Sequence, residues 1–137
     1  MEYHFGRLID HIHLVVSDLG ASKAFYRKVL QSLGRDLTGE GEGYFFADEL
    51  FVSPGENLSH IHFAFQTKDR QQVHRFYEAA LSAGGTDNGA PGERHYHPGY
   101  YAAFVLDPDG NNVEAVYHGP ARRSADDVVI TPERNGH

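Results

Sequence analysis

Six of the ten histidines in this chain fall in spaced pairs, and two of those pairs share one three-residue unit, His11-Ile12-His13 and His60-Ile61-His62. The third pair is His95-Tyr96-His97. Neutral imidazoles bind divalent transition metals and move protons near neutral pH, and they do either best beside a carboxylate. The chain has no cysteine, so a metal here must be held by imidazole, carboxylate or water. Glu49 and Glu114 are the carboxylates whose positions suit such a site, for reasons that lie in the elements carrying them.

The histidine units each open a repeated pattern. After the first, Leu19, Ser22, Phe25, Tyr26, Val29, Leu30 and Leu33 recur at helical spacing, from a start at Ser17 or Asp18 to a stop at Gly34. After the second, Val73, Phe76, Tyr77, Ala80 and Leu81 do the same, from Thr67 or Asp69 to Gly84. Glycine-punctuated segments that alternate like strands follow: 35–38, 44–47 and 49–53 in the first half, 100–106 and 112–117 in the second. Asp107-Pro108-Asp109-Gly110-Asn111 is a turn joining the last two, because proline presets one backbone angle and glycine accepts a positive one. The fold class is therefore α+β: two βαβββ modules, about 8–56 and 57–118, which form a cup-shaped mixed sheet around a central site if their open faces curl toward each other. They make one domain over 1–118, followed by a polar tail at 119–137 that is either disordered or laid on a partner subunit.

Side chains alternate across a strand. Ile12, Leu14 and Val16 face the helix, leaving His11 and His13 on the open side; Ile61, Phe63 and Phe65 leave His60 and His62 there. Val113, Ala115 and Tyr117 likewise leave Glu114 open, and Leu50 and Val52 leave Glu49. If the open faces enclose one space, His11, Glu49, His60 and Glu114 converge as ligands of one divalent ion: Zn, Ni, Co, Mn or Fe. His13 and His62 lie one pleat, ~7 Å, further along their strands. They suit proton transfer or substrate contact, although an alternative register makes them the ligands. The doublets Phe25-Tyr26 and Phe76-Tyr77 read as core, Asp109-Gly110 as a turn only, and Glu40-Gly41-Glu42-Gly43 as a flexible connection.

Bulk properties narrow the partners. With 137 residues, 40% hydrophobic and 23% charged, one soluble globular domain is expected. No apolar run approaches the roughly 20 residues of a membrane span, and no secretory h-region opens the chain, so membrane association is not expected and the cytoplasm is the default. A net charge of −7 disfavours nucleic acid.

The segments Asp10 to Leu19 with Ala24-Phe25-Tyr26, Ser59 to Phe65, and Asp107 to Glu114 resemble the vicinal oxygen chelate superfamily, which includes glyoxalase I, extradiol dioxygenases and bleomycin-resistance proteins. The resemblance spans about residues 8–118. It implies His11, His60 and Glu114 as metal ligands, a small-molecule substrate and a homodimer, with modules paired within one chain or across two. The stretch between Glu49 and His60 is short for glyoxalase I, and no segment supplies a glutathione site. The expected activity is a glyoxalase-like lyase or isomerase stabilising an enediolate on the metal, with Glu114, Glu49, His13 or His62 moving the proton. The alternatives are an extradiol-type Fe(II) dioxygenase and a non-catalytic antibiotic- or metabolite-binding protein. His95, His97, Tyr100 and Tyr101, close to the mouth of the cup, are the candidate substrate contacts.

Overall fold

The structure, a computed structural model, describes residues 6 and 8–133; the ends of the expected domain and tail at 1–5, 7 and 134–137 lie outside the described residues. The first module runs β1 (Ile12–Val16), α1 (Leu19–Ser32), β2 (Gly39–Gly41), β3 (Tyr44–Ala47) and β4 (Leu50–Pro54). The second runs β5 (His62–Gln66), α2 (Arg70–Ser82), β6 (Thr86–Asp87), β7 (Gly92–Glu93), β8 (Tyr101–Leu106) and β9 (Asn112–Tyr117).

Both helices start where an aspartate can close the first turn. Asp18 accepts from the Ala21 N–H at 3.1 Å, and Asp69 from the Gln72 N–H at 2.7 Å. Both stop at a glycine with positive φ, Gly34 at 76° and Gly84 at 99°. The strands form two mixed sheets ordered β1-β4-β3-β2 and β5-β9-β8-β6, with β7 also on β8. The pairs β1/β4 and β5/β9 are parallel and the others antiparallel. Each module thus returns its last strand to lie beside its first. Among the described residues no strand of one sheet pairs with the other, so the sheets stay open and form no closed barrel.

The helix-facing parity holds. Leu14, Val16, Val52, Val113 and Ala115 are buried with Phe25, Tyr26 and Phe76 in one core drawn from both modules, and α1 packs against α2. Two contacts lock the modules at one end. Tyr26 Oη donates to Asp107 Oδ2 at 2.5 Å, and the Ser17 hydroxyl and N–H donate to the Asp109 carboxylate at 2.5 and 3.1 Å. The 107–111 turn is therefore also a clamp, correcting its reading as a turn alone.

Three other expectations change. Residues 35–38 form no strand; the first strand after α1 is β2, inside the glycine-rich stretch read as a flexible connection. Two short strands, β6 and β7, precede β8. The face carrying Glu114 is covered, because Ala102, Phe104 and Val116 bury one another there with Tyr100 packed on them. The 119–133 segment has no helix or strand, but the Asp126 carbonyl accepts from Arg35 Nη2 at 3.3 Å, which lays it on its own chain. No helix among the described residues is long and apolar enough to cross a membrane.

Candidate functional site

Glu114 stands at the centre of β9 and is only 2% exposed, a costly position for a carboxylate without partners. It has two. His62 Nε2 donates to Oε1 at 2.8 Å, and the Tyr100 hydroxyl donates to Oε2. The β5/β9 register explains the first contact. His62 pairs with Asn112 and Ala64 with Glu114, so His62 stands two residues from Glu114 on the same face. Burial, and next the Glu114 carboxylate it serves, raise the Tyr100 phenol above its ordinary pKa, so it stays a protonated donor.

Around Tyr100 the rings continue. Tyr96, His97 and His118 meet it edge to face at centroid distances of 4.8, 5.3 and 5.1 Å. His97 Nε2 and His118 Nδ1 share a hydrogen bond of 2.8 Å, which ties the loop before β8 to the end of β9. Burial, and secondarily His97, lower the His118 pKa. His118 shares Glu114's parity in the sequence; its pairing with His97 did not show there, because the two come together only through the β8/β9 hairpin.

The first sheet presents a second set of groups. His11 stands just before β1 and Glu49 just before β4, and the Ile12 N–H donates to the Glu49 carbonyl at 2.7 Å, so the two flank neighbouring strand ends. The His11 ring pairs with Asp10 at 2.7 Å. Partial burial, and then Asp48, raise the Glu49 carboxyl above its usual range. His13 Nε2 hydrogen bonds with Ser53 Oγ at 2.6 Å, and its ring meets Phe51 edge to face at 5.2 Å. His11, His13, Phe46, Asp48 and Phe51 line a cavity of about 440 Å³.

These placements redistribute the expected roles. His62, expected to act beside the ligands, is the imidazole in contact with Glu114. His60 is exposed, two residues before β5 begins. The helix caps give the reason. His11 lies seven residues before the cap Asp18, and in the second module the residue seven before the cap Asp69 is His62. Tyr101 does not join the candidate substrate contacts. Alternation turns it to the helix side, where it is 9% exposed, hydrogen bonds with His74 Nε2 at 2.6 Å and lies 4.4 Å beneath the Arg70 guanidinium. His95 and His97 are exposed, and Tyr100 is half-buried. No three His, Asp or Glu side chains among the described residues lie close enough to share one ion. One chain therefore carries one contacting imidazole and carboxylate, His62 with Glu114, leaves His11 and Glu49 at neighbouring strand ends of the other sheet without a contact between their side chains among the described residues, and does not join His11, His60 and Glu114.

Residues 8–115 match the model of the glyoxalase/bleomycin resistance protein/dioxygenase superfamily. No curated protein matches the chain. Among solved structures, a glyoxalase/bleomycin resistance protein from Albidiferax ferrireducens T118 is 26% identical with a TM-score of 0.67, over 80% of this chain and 98% of that one. A glyoxalase I mutant from Zea mays is 26% identical with a TM-score of 0.57, over 77% of this chain and 45% of that one. A glyoxalase/bleomycin resistance protein/dioxygenase family enzyme from Burkholderia phytofirmans PsJN, at 19% identity, 78% and 95% coverage and a TM-score of 0.62, shares the fold.

Proposed function

Since the chain belongs to the glyoxalase/bleomycin resistance protein/dioxygenase superfamily, we propose that it is a metal-dependent lyase or isomerase of glyoxalase type, acting on a small substrate with adjacent oxygens. The observation that carries this reading is the Glu114 carboxylate, buried in an otherwise apolar patch and held from both sides by His62 and Tyr100. Buried carboxylates held by an imidazole and a phenol concentrate at functional sites, which supports the reading.

The donor set fits a divalent cation. It is imidazole and carboxylate with no thiol: His62 in contact with Glu114, and His11 and Glu49 at neighbouring strand ends. The two sets lie on different sheets, so the reading is completed by a homodimer in which His11 and Glu49 of one protomer meet His62 and Glu114 of another. His62 takes the place first given to His60. A divalent ion bound there would supply Lewis-acid stabilisation of negative charge on the substrate oxygens. The chain's own groups do the rest. Tyr100 fixes the orientation of the Glu114 carboxylate, the Phe104 and Val116 patch excludes water from beneath it, and His13, hydrogen bonded with Ser53, takes or returns a proton.

Metal content of protein purified without chelator, with His62→Ala, His11→Ala and His60→Ala variants, tests the assignment. The expected result is stoichiometric metal in the parent and in His60→Ala, and a loss of about 10-fold or more in affinity in the other two, with folded spectra throughout. Stoichiometric metal retained by His62→Ala would refute the ligand set. Oxygen uptake on adding catechol to the Fe(II)-loaded protein would move the chemistry to a dioxygenase.

A further inference from the structure

The glycine-rich stretch 39–43 is the sequence feature that the proposed site leaves unused, and the structure gives it a purpose. In the first sheet Gly39 pairs with Phe46, Phe46 with Phe51, and Phe51 with His13. One row of the open face thus runs from an edge glycine across two aromatic rings to an imidazole. In the next row Gly41 pairs with Tyr44. The rings of Tyr44 and Phe46 lie down over these glycines. A methyl group at position 39 would come within 2.6 Å of Phe46 Cε1, and one at position 41 would come closer still to Tyr44 Cε1. With no side chain beneath them, the rings settle nearly parallel. Tyr44 and Phe51 are 5.6 Å apart at 11°, Tyr44 and Phe46 6.4 Å at 18°, and Phe46 and Phe51 6.5 Å at 20°.

The result is an aromatic floor on the solvent side of a sheet. Tyr44 remains 38% exposed, and Phe46 and Phe51 are half-buried. Large aromatic groups are costly to leave in water without a partner. The floor opens into the 440 Å³ cavity that also holds His11 and His13, a volume in the range of small-molecule sites. The cavity lining has no lysine or arginine, and its one carboxylate, Asp48, is paired with Arg35 at 3.8 Å.

We propose that this floor is a specificity subsite for the planar, uncharged aromatic part of the substrate. The ring of an aryl dicarbonyl, or the second ring of a fused-ring diol, stacks on Tyr44, Phe46 and Phe51 while the adjacent oxygens reach the His11 and His13 end. The orientation of the oxygens rests on the reading of the metal site above; the stacking does not.

The two are therefore tested separately, with 2-naphthol on chelator-treated protein and naphthalene-2,3-diol against catechol on metal-loaded protein. Binding of 2-naphthol without metal is expected, with ring-proton shifts confined to Tyr44, Phe46 and Phe51. A Gly39→Ala/Gly41→Ala variant, which tilts the rings off the backbone, is expected to weaken it about tenfold, and His60→Ala, outside the cavity, leaves it unchanged. The metal-loaded protein is expected to prefer the naphthalenediol over catechol by about tenfold, a preference the double variant loses. Should the double variant misfold, Phe51→Leu reads the same loss from the centre of the floor. No 2-naphthol binding, or binding untouched by the glycine and Phe51 variants, would overturn the proposal. So would a dimer that shields the three rings and dissociates in the double variant, since the face would then be an interface between copies. Failure of the metal assignment instead leaves 2-naphthol binding intact and makes the affinity for the naphthalenediol the same with and without metal.

Discussion

Replacing Tyr26 with phenylalanine tests the clamp that joins the two modules at the 107–111 turn. The Tyr26 side chain is fully buried, and its hydroxyl donates to Asp107, itself only 4% exposed. Asp107 also accepts from the Asp109 and Asn111 N–H groups and from the Asn111 amide. A neutral donor to a buried carboxylate contributes about 1.5–3 kcal/mol, and deleting one hydroxyl oxygen leaves the phenyl ring and its packing in place. The Asn111 amide keeps one donor on the same oxygen, which places the loss near the middle of that range, about 2 kcal/mol. Burial, and then Asp107, raise the Tyr26 phenol well above its ordinary value, so the bond keeps its proton across the working pH range and the loss is the same at pH 6 and pH 8. In urea unfolding the midpoint is expected to fall by about 1 M at an unchanged slope, and the melting temperature by about 6–10 °C. Tyr77→Phe, at the matching place in α2 with the exposed Asp87 as partner, is the control and leaves the midpoint where it was. A Tyr26→Phe midpoint indistinguishable from the parent's would show that the 107–111 turn is held by its internal bonds alone.

Two further outcomes follow from the second sheet. Tyr100→Phe removes one of the two donors on Glu114, and turnover is expected to drop about 10-fold or more with a smaller change in KM, because the phenol holds the carboxylate without belonging to the substrate; equal kinetics would assign Tyr100 to packing. The His118 pKa is lowered on folding, so the folded state binds fewer protons than the unfolded one. Stability is then full above the ordinary histidine pKa and is lost as pH falls from there through the lowered value. His118→Asn should flatten the stability profile just below the ordinary histidine pKa, as read by urea midpoints; an unchanged slope would remove His118 as its source.

The local signals in the sequence held where a single element decides the outcome. Asp18 and Asp69 cap the helices, Gly34 and Gly84 end them, and the alternation in β1, β4 and β9 sends Leu14, Val52 and Val113 inward and Glu114 to the other face. Contacts between elements were less legible. The residues after α1 read as a strand at 35–38 and a flexible stretch at 40–43, yet β2 forms at Gly39–Gly41. Glycine is a poor strand former until the rings of Phe46 and Tyr44, on the facing strand of the hairpin, cover it. Tyr101, read as a substrate contact within the strand at 100–106, is turned by alternation along β8 to the opposite face from Tyr100.

The two histidine units show why matching letters is weaker than matching geometry. Aligned as His-Ile-His, His11 corresponds to His60. Counted from the caps Asp18 and Asp69, or from the doublets Phe25-Tyr26 and Phe76-Tyr77, the repeat is two residues longer, and His11 corresponds to His62. A strand's position relative to its helix is set by the connection and the core, so the cap is the physical origin from which to count. Counting from it puts an imidazole one pleat from Glu114, within the 2.8 Å contact observed, whereas the letter match puts it two residues before the strand starts. The second module therefore has its imidazole where the carboxylate needs one, and the surplus His60 is the position at which substitution should cost metal binding nothing.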